Sequence, residues 1–409
     1  MTSAVPAAEF HRFDGTRKTA LKRHAVAVVF VLLIGWALGH FRSVRFNAAN
    51  RDSIQFWATG RMLIHHGSPF DLDTMLKLQQ SQGYGAAKGL VSRIPPWTIP
   101  LALPFGLLSP YWTWFLIVVL SAAALVLTTR VCWGLFGNNH TLPSDCYLAS
   151  YFFAPILACF KTGQIGILIV LGVVLFLRWH SSRPFLAGAA LWLPFAKPHL
   201  FTVFGLICIL WIFARRRWAV LAGFATTLLF TLALSLALDH SLFAHYFANV
   251  RGQRIEAEFI PSLAGLLRLL VDPRCFYIQF VPLLLGLAWT VWFWIKHRRR
   301  WDWSSHGLTV LVVSVLVSPY SFFPDEVVLL PVVFQAAVCL FSRSAPARPT
   351  LYILATMNSV LVLMVVMNSS LASGAYVWSG LLWAWCAILA RRASKETPPE
   401  PRTEICGIR

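Results

Sequence analysis

Long apolar stretches separated by short polar or basic turns dominate the chain. The first runs from about residue 25 to 41, and a polar region from 42 to 93 follows it. Most later stretches approach the roughly 20 residues that an α-helix needs to cross a bilayer. They lie at about 111–136, 145–160, 163–179, 184–196, 198–214, 217–238, 276–296, 304–318, 322–341, 349–368 and 373–391. The pattern predicts an all-α polytopic membrane protein with about 12 transmembrane helices.

The polar region after the first stretch contains two shorter periodic segments. Asp52 or Ser53 can begin the first one as a helix cap. Its apolar face is Phe56, Trp57, Gly60, Leu63 and Ile64, and its polar face is Gln55, Thr59, Arg61, His65 and His66. We expect this helix, and a second one at about 71–82, to lie in the membrane interface.

Glycine and proline interrupt the chain before the next long stretch. Glycines at positions 83, 85 and 89 indicate a loose loop. Four prolines break the apolar segment 95–108, which is also too short to cross a bilayer. The segment is therefore interpreted as a re-entrant or interfacial piece.

Composition excludes a soluble fold. The chain has 409 residues, of which 57% are hydrophobic and 12% charged, whereas about a quarter are charged in soluble domains. A net charge of +19 would fit a nucleic-acid partner, but the basic residues form short clusters between apolar stretches. Such clusters mark the cytoplasmic side under the positive-inside rule. We expect no nucleic-acid partner and a multi-pass protein of a cell inner membrane or plasma membrane.

The same clusters order the chain across the bilayer. The first apolar stretch lacks a small-residue cleavage site, which favours an uncleaved helix with a cytoplasmic N-terminus over a signal peptide. If segment 95–108 does not cross, every strong basic cluster lies inside. The predicted organisation is a cytoplasmic tail at 1–24, one transmembrane domain at 25–391 with outer loops at 42–110 and 239–275, and a disordered cytoplasmic tail at 392–409.

Polar residues from several chain regions then end at the same outer face. Ionisable groups at helix ends that face a membrane-embedded cavity are functional by default. They are Asp52 with Arg61, His65 and His66, Lys161 with Gln164, Lys197 with His199, the loop from 239 to 272, and Asp325 with Glu326. We expect them to form one site on the periplasmic or extracytoplasmic side.

The order of several motifs resembles glycosyltransferase family 87, the polyprenol-phosphate-mannose-dependent mannosyltransferases of the GT-C superfamily. The matching elements are Asp52 with FWATGRMLIHHGSPFD, PPWTIPLALPFGLLSP, Gly163 with Gln164, AGAALWLPFAKPH, the basic turn RRRW at 215–218, PSLAGLL at 261–267, and SPYS at 318–321. The likeness runs from about residue 25 to 390. Two positions depart from the family, which often carries a histidine pair in place of Asp325 and Glu326, and Asn-Gln in place of Ile260 and Pro261.

The resemblance implies a GT-C-like fold and an inverting transfer of a hexose. The donor would be a polyprenyl-phosphate-linked sugar, with mannose as the family's sugar, and the acceptor a membrane-associated glycan or glycolipid. Asp52 matches the family's catalytic aspartate, a general base that takes the acceptor proton, and no cofactor is implied. The open alternative is that Asp52 only caps the helix starting at Ser53, for about 1 kcal/mol of stability.

Cationic groups aimed at the leaving phosphate would stabilise the charge that grows as the sugar bond breaks. The candidates are Lys197, Arg61, His199, Lys161, Arg251 and Arg254. Lys197 is favoured because it lies between Pro194 and Pro198, where it has no ordinary packing role. For each of them, an equally good interpretation is a cation that only extends its charged end to the bilayer surface.

Acceptor or sugar contacts are expected from polar groups of the outer loops. The candidates are His65, His66, Gln164, Glu256, Glu258, Asp325, Glu326 and Tyr320. Carboxylates accept hydrogen bonds from sugar hydroxyls well, although loop charges are often only solvated. Trp57, Trp97 and Tyr320 can stack on sugar faces, but aromatic residues at a bilayer interface are usually anchors.

No metal site is predicted. His65 and His66 are adjacent and point in different directions on a helix, without a carboxylate at ligand spacing. The sequence Asp71-Leu72-Asp73 is similar to the metal-holding DxD motif of nucleotide-sugar transferases, but a helix cap at Asp71 or Asp73 is the favoured interpretation. The eight cysteines are scattered and indicate neither disulfides nor zinc.

Two other functions stay open on the sequence. A polytopic transporter or lipid-intermediate flippase without transferase activity would have similar spans, but such proteins usually show repeated halves and charges near the bilayer midplane. Neither feature is visible. The two departures from the motif pattern also allow a non-catalytic assembly partner that kept the fold and lost the site.

Overall fold

The computed structural model describes residues 47–90, 94–137, 150–252, 260–341, 348–367 and 371–396. The predicted first transmembrane helix at 25–41 lies outside these residues. Within them the chain is helical and has no β-strand. The α-helices, numbered here in chain order, are α1 (Ser53–Ile64), α2 (Leu72–Gln80), α3 (Leu103–Gly106), α4 (Pro110–Phe136), α5 (Ala154–Thr162), α6 (Gly166–Trp179), α7 (Pro184–Leu191), α8 (Pro198–Arg215), α9 (Trp218–Leu238), α10 (Leu242–Gly252), α11 (Leu263–Val271), α12 (Val281–His297), α13 (Leu308–Leu316), α14 (Leu330–Phe341), α15 (Arg348–Val366) and α16 (Leu371–Glu396).

Short tighter or wider turns join these helices. They are 3-10 turns at Ala48–Asn50, Pro96–Ala102, Pro194–Ala196, Phe276–Phe280, Arg298–Arg300 and Phe323–Leu329, and a π-helical turn at Trp303–Gly307. Proline lies in the first turn of three of them, Pro96–Ala102, Pro194–Ala196 and Phe323–Leu329, where its missing N–H costs no helical hydrogen bond. The turn Phe323–Leu329 carries one residue of the site described below, and the turn Pro194–Ala196 directly precedes another.

Five helical stretches of the described chain are long and apolar enough to cross a membrane. They are Pro110–Phe136, Pro198–Arg215, Trp218–Leu238, Phe276–Arg300 and Phe323–Leu340. Shorter apolar helices accompany them at Gly166–Trp179, Pro184–Ala196, Trp303–Leu316, Tyr352–Val366 and Val377–Leu389. The protein is a membrane protein whose described residues form helices without strands, and the total of about 12 spans stays a prediction.

Two predicted helices differ from the structure. Within the described part of the helix expected at 145–160, residues 150 and 151 are helical, the helix breaks at 152 and 153, and a new helix begins at Ala154 with Pro155 in its first turn. The resulting nine-residue helix α5 is too short to cross a bilayer. At the other end, α16 continues to Glu396, beyond the predicted helix end at residue 391, and residues 397–409 of the predicted tail lie outside the described residues.

Helix α1 lies where the sequence predicts it, but it is buried on nearly all sides. Thr59, expected on the polar face, has no exposed surface, so the prediction of a free polar face is wrong there. The helix crosses α3 through two facing glycines: a Cβ on Gly60 would lie 2.0 Å from the carbonyl oxygen of Ala102, and one on Gly106 2.2 Å from the carbonyl carbon of Gly60. Small residues allow this close backbone approach, as is common between membrane helices.

The proline-rich segment 95–108 forms a 3-10 turn followed by the four-residue helix α3. The Ser235 hydroxyl, near the end of α9, donates to the carbonyl oxygen of Pro96 at 2.8 Å. The Trp97 indole donates to the carbonyl oxygen of Phe195 at 3.2 Å. Together with the glycine contact, these bonds hold the segment between α1 and the α7–α9 region.

Helix α8 separates two chemically different ends of the molecule. Lys197 directly precedes it and Arg215 ends it, so its 18 residues place the two about 27 Å apart along the axis. The Arg215 guanidinium donates to the carbonyl oxygens of Arg298 and Arg299 at 2.9 and 3.1 Å. Two basic turns therefore meet at one end of α8, and Lys197 lies at the other.

Candidate active site

Four of the predicted site residues meet in one chain of polar contacts. Asp52 precedes α1, Gln164 lies between α5 and α6, Lys197 precedes α8, and Asp325 lies in the turn Phe323–Leu329. Hydrogen bonds link Asp52 to Gln164, Gln164 to Lys197, and Lys197 to Asp325. All four stand where one helix gives way to another, so side chains from distant parts of the sequence converge.

The Asp52 carboxylate does not cap α1. The first amides of the helix bond to backbone instead, Ile54 to the carbonyl oxygen of Arg51 at 3.0 Å and Gln55 to that of Asp52 at 3.2 Å. Asp52 makes no side-chain capping bond, and its Oδ2 accepts the Nε2 amide of Gln164 at 2.7 Å. Oδ1 has no hydrogen-bond partner among the described residues, and the half-buried side chain keeps some exposure. A lone pair is therefore left for a proton from a bound molecule.

Asp71, in the same predicted outer loop, shows what a capping aspartate looks like. Its Oδ1 accepts the amides of Asp73 and Thr74, both at 3.2 Å, and its Oδ2 accepts the Thr74 hydroxyl at 2.7 Å. The hydrogen bonds from Thr74 hold the pKa of this exposed carboxyl below its usual range. Asp71 therefore caps the start of α2 with both carboxylate oxygens.

Gln164 reaches Asp52 because α5 ends in a left-handed turn. Gly163 has φ +72°, a conformation that glycine adopts without steric cost, and a Cβ there would lie 2.8 Å from the Cβ of Ser53. The turn therefore packs directly beside Asp52. Because an ammonium has only donors, the Gln164 Oε1 must face Lys197 and the Nε2 must face Asp52, which fixes the direction of the amide.

Lys197 joins the chain to a buried carboxylate. Its Nζ donates to Gln164 Oε1 at 3.1 Å and to Asp325 Oδ1 at 2.6 Å. The Lys197 side chain is 15% exposed and that of Asp325 6% exposed. An ammonium has three N–H donors, so the contacts within the described chain leave one for another molecule.

Burial sets the electrostatics of Asp52. Loss of water raises the pKa of the Asp52 carboxyl above its ordinary value, and the Gln164 hydrogen bond and the charge of Lys197 oppose that rise. A carboxylate with a raised pKa is a stronger base than an ordinary aspartate. The surroundings of Asp52 therefore favour proton acceptance.

His199 and Tyr320 lie beside Lys197. Their rings meet edge to face with centroids 5.5 Å apart, and the Ser318 hydroxyl donates to the carbonyl oxygen of His199 at 3.1 Å. The Nε2 of His199 is buried and finds no hydrogen-bond partner within the described part of the chain. Such an atom costs free energy unless a ligand or water meets it.

The other predicted phosphate-binding cations lie elsewhere. The Arg61 guanidinium donates to the carbonyl oxygen of Gly106 at 3.4 Å, where it supports the α1–α3 crossing. Lys161 donates to the carbonyl oxygen of Val365 in α15. Arg251 is exposed in the last turn of α10, and Arg254 lies outside the described residues. Within the described residues, neither Arg61 nor Arg251 hydrogen-bonds to a member of the Asp52–Asp325 chain.

The predicted acceptor contacts divide in the same way. Glu326 turns away from Asp325, because its Oε1 accepts the Ser379 hydroxyl at 2.6 Å and its Oε2 the Trp383 indole at 2.7 Å. It therefore fastens α16 to the turn that carries Asp325. His65 and His66 are exposed at the end of α1. The two glutamates at positions 256 and 258 lie outside the described residues.

Two tryptophans that could stack on sugars according to the sequence have their indole N–H groups bonded to backbone carbonyl oxygens. Trp57 is 4% exposed and its indole donates to the carbonyl oxygen of Leu108 at 2.9 Å. Trp97 is tied to Phe195 as described above. The Trp57 ring is buried, Trp97 is half-buried, and the ring of Tyr320 meets that of His199.

The two predicted outer loops contact each other. The Ser68 hydroxyl lies 3.3 Å from His245 Nδ1, and the rings of Phe70 and Tyr246 meet edge to face at 5.6 Å. Helix α10 therefore packs on the segment between α1 and α2. The contact brings the two predicted outer loops together on the side where the polar chain lies.

The sequence patterns did not single out Tyr84, and they did not predict the hydrogen bonds that hold the loop around this residue. The loop predicted to be loose is fastened to the segment before Asp52: Asn47 Nδ2 donates to the carbonyl oxygen of Gly83 at 2.8 Å, and Asn50 Oδ1 accepts the Gly85 amide at 3.1 Å. Burial, and to a lesser degree the negative charge of Asp52, raise the pKa of Tyr84. The two asparagines were the available sequence signal, because asparagine commonly fixes loops through backbone hydrogen bonds.

No group of three or more metal-ligating side chains converges among the residues that the structure describes. The polar chain has two carboxylates, but an ammonium lies against Asp325. A cation in that place already supplies the positive charge that a metal ion would bring. The arrangement is suited to proton transfer and anion binding.

Membrane-spanning helices with one buried polar chain at their ends define a membrane protein with an embedded reaction or binding site. The model of glycosyltransferase family 87 matches residues 95–319, more than half of the chain. The protein therefore belongs to glycosyltransferase family 87 and is a membrane glycosyltransferase. Gln164 and Lys197 lie within the match, whereas Asp52 and Asp325 lie outside it. Neither the curated proteins nor the solved structures provide a match.

Proposed function

We propose that this glycosyltransferase moves a hexose, with mannose as the first sugar to test, from a polyprenyl-phosphate carrier to a membrane-associated glycan or glycolipid. The observation that carries the proposal is the state of Asp52. Burial raises the pKa of its carboxyl, the side chain makes no capping bond to α1, and Oδ1 has no hydrogen-bond partner among the described residues. These are the properties that a general base needs.

The reaction is an inverting displacement at the anomeric carbon. Asp52 Oδ1 accepts the proton of the acceptor hydroxyl while its oxygen forms the new bond to the sugar. The bond between the anomeric carbon and the phosphate oxygen breaks, and the phosphate leaves with the electron pair. Gln164 holds the Asp52 carboxylate through Oδ2, so the attacking geometry is fixed before substrate arrives.

Lys197 is the proposed contact for the departing phosphate. Its third N–H is available, and Gln164 and Asp325 hold the ammonium in place. The unpaired Nε2 of His199 is a second group that can meet a phosphate oxygen. Donors that are positioned in advance stabilise the growing negative charge without reorganisation.

The site is proposed to face the extracytoplasmic side. Lys197 lies at the opposite end of α8 from Arg215, and Arg215 meets a second basic turn at Arg298 and Arg299. Basic turns favour the cytoplasm under the positive-inside rule. A polyprenyl-phosphate donor suits the extracytoplasmic face, because the lipid carrier anchors the sugar in the membrane and transfer there needs no nucleotide-linked sugar.

Reconstitution into vesicles tests this function. Purified protein would be incubated with a panel of labelled polyprenyl-phosphate sugars and with membrane extract as the acceptor source. We expect a labelled glycan or glycolipid whose new linkage has the inverted anomeric configuration. Movement of the labelled donor across the vesicle membrane without a transfer product would contradict the proposal and favour a flippase.

A further inference from the structure

The Lys197 ammonium is already paired with a carboxylate before any substrate is present. Asp325 Oδ1 lies 2.6 Å from Lys197 Nζ. The pair presents its positive end outward, because the lysine side chain is the more exposed of the two. A phosphate that contacts Lys197 therefore also feels a negative charge directly behind it.

Asp325 is held in place from both sides. Its Oδ2 accepts the Phe322 amide at 2.9 Å, and its own amide donates to the carbonyl oxygen of Phe322 at 2.8 Å. These bonds fix the carboxylate at the start of the turn Phe323–Leu329. An arriving anion therefore has to share Lys197 with Asp325, and the carboxylate cannot simply swing away.

The charge of the phosphate changes during the proposed reaction. A polyprenyl-phosphate sugar is a phosphodiester with one negative charge. The released polyprenyl phosphate is a monoester that carries about −1.5 to −2 at neutral pH. Repulsion from a fixed carboxylate grows in proportion to that charge.

We infer that Asp325 sets the charge preference of the Lys197 phosphate contact, so that it accepts a phosphodiester monoanion and weakens the hold on the phosphomonoester product. The inference rests on the proposed function. Lys197 contacts the phosphate directly and attracts it, while Asp325 repels the phosphate from behind Lys197, at a longer distance. The attraction by Lys197 still stabilises the leaving phosphate during bond cleavage, and the repulsion by Asp325 weakens binding of the more highly charged monoester that cleavage produces.

The same reasoning excludes more highly charged donors. A diphosphate-linked sugar brings a second phosphate charge to the same region, near Asp325 and also near Asp52, which is linked to Lys197 through Gln164. Like charges at close range oppose binding. Asp325 therefore favours monophosphate-linked carriers over diphosphate-linked ones.

Two short-chain probes that differ only in charge test the inference. Farnesyl phosphate and its methyl diester would be titrated against detergent-purified protein at pH 7.5, using thermophoresis to measure Kd. For the unaltered protein we expect the two Kd values to agree within about threefold, since Asp325 offsets the extra charge. A monoester that binds the unaltered protein more than about tenfold tighter than the diester would overturn the inference without any variant.

The variant Asp325→Asn removes the charge and keeps the side-chain shape. We expect its monoester Kd to fall by on the order of tenfold, and its diester Kd to change less than about threefold. Unchanged diester binding also shows that the variant is folded. Asp272→Asn is the matched control, because it removes one acidic charge at an exposed residue whose Oδ1 accepts only a local amide, that of Arg274, and we expect both Kd values to stay unchanged.

The outcomes separate this inference from the proposed function. Equal changes in both Kd values for Asp325→Asn would overturn the inference without contradicting the proposed transfer reaction. Failure of the unaltered protein to bind either probe, with normal transfer in the vesicle assay, would place the donor phosphate away from Lys197 and also overturn the inference. The charge preference without any transfer product would support the phosphate contact and contradict the proposed reaction.

Discussion

At the scale of single residues, the central feature is Asp52, an aspartate that precedes α1 without capping it. The amides at the start of α1 are satisfied by backbone oxygens, so the Asp52 carboxylate is free to contact Gln164. Asp71, which also precedes a helix, has both oxygens engaged by the first turn. The sequence alone could not separate these two cases, because capping depends on backbone geometry that residue identity does not specify.

Gln164 is expected to tune the pH dependence of the reaction. Asp52 acts as a base only when it is ionised, so kcat/KM falls as pH decreases through the Asp52 pKa. The Gln164 hydrogen bond lowers that pKa against the effect of burial. Gln164→Leu should therefore raise it and move the acid limb of the pH profile upward by about one unit.

The control for this profile is Gln80→Leu. Gln80 is exposed at the end of α2 and its Nε2 lies 3.4 Å from the carbonyl oxygen of Ala86, away from Asp52. Its pH profile should match that of the unaltered protein. An acid limb that does not move in Gln164→Leu would show that Asp52 is not the group whose ionisation limits the rate.

At the scale of elements, the long apolar helices and the two short helices α1 and α2 could be predicted closely, whereas the helix break before α5 and the burial of α1 could not. Stretches such as 111–136 and 217–238 nearly coincide with α4 and α9, because long runs of apolar residues leave few alternatives. The burial of α1 was missed because its periodicity indicates one apolar face, while a glycine crossing also buries the other side. The glycines themselves were visible, but the backbone they would meet was not.

Gly60 tests the crossing of α1 and α3. Any Cβ at Gly60 would lie 2.0 Å from the carbonyl oxygen of Ala102, so Gly60→Ala must separate the two segments. We expect a loss of about 1–3 kcal/mol in stability, the usual range for overpacking, measured as a lower Tm in detergent. Transfer should also fall, since Asp52 lies at the start of the displaced helix.

Gly134 provides the matched comparison for that substitution. It lies in α4 with open space around the position of its missing Cβ. Gly134→Ala should keep or slightly raise the Tm, because alanine is favoured over glycine in a helix by roughly 0.5–1 kcal/mol. Equal Tm values for the two variants would show that α1 and α3 are not in close contact.

At the scale of the whole molecule, the polar site and the basic turns lie at opposite ends of α8. The sequence predicted that the site residues converge, from charge clusters alone, and the structure joins Asp52, Gln164, Lys197 and Asp325. The sequence could not predict which of these polar groups would instead bond to other helices. Lys161 and Glu326 instead bind α15 and α16, and such pairings depend on how distant helices pack.

Reporter fusions test the orientation of this arrangement. Gln82 lies in the exposed loop after α2, and Arg299 lies in the basic turn that Arg215 contacts. A reporter near Gln82 should read as extracytoplasmic and one near Arg299 as cytoplasmic. A cytoplasmic reading near Gln82 would contradict the proposed side of the reaction, while the contacts of the site would be unaffected.

The transfer rate of Asp52→Asn compared with that of Asp71→Asn tests the central claim most directly. Both changes replace an aspartate that precedes a helix in the same predicted outer loop, and asparagine caps helices about as well as aspartate. Rates would be measured at saturating labelled donor, with donor binding and Tm recorded for each variant. We expect kcat to fall by roughly 10²–10⁴-fold for Asp52→Asn, with donor binding and Tm retained, and to stay unchanged for Asp71→Asn. Normal turnover by folded Asp52→Asn would contradict the assignment of Asp52 as the base.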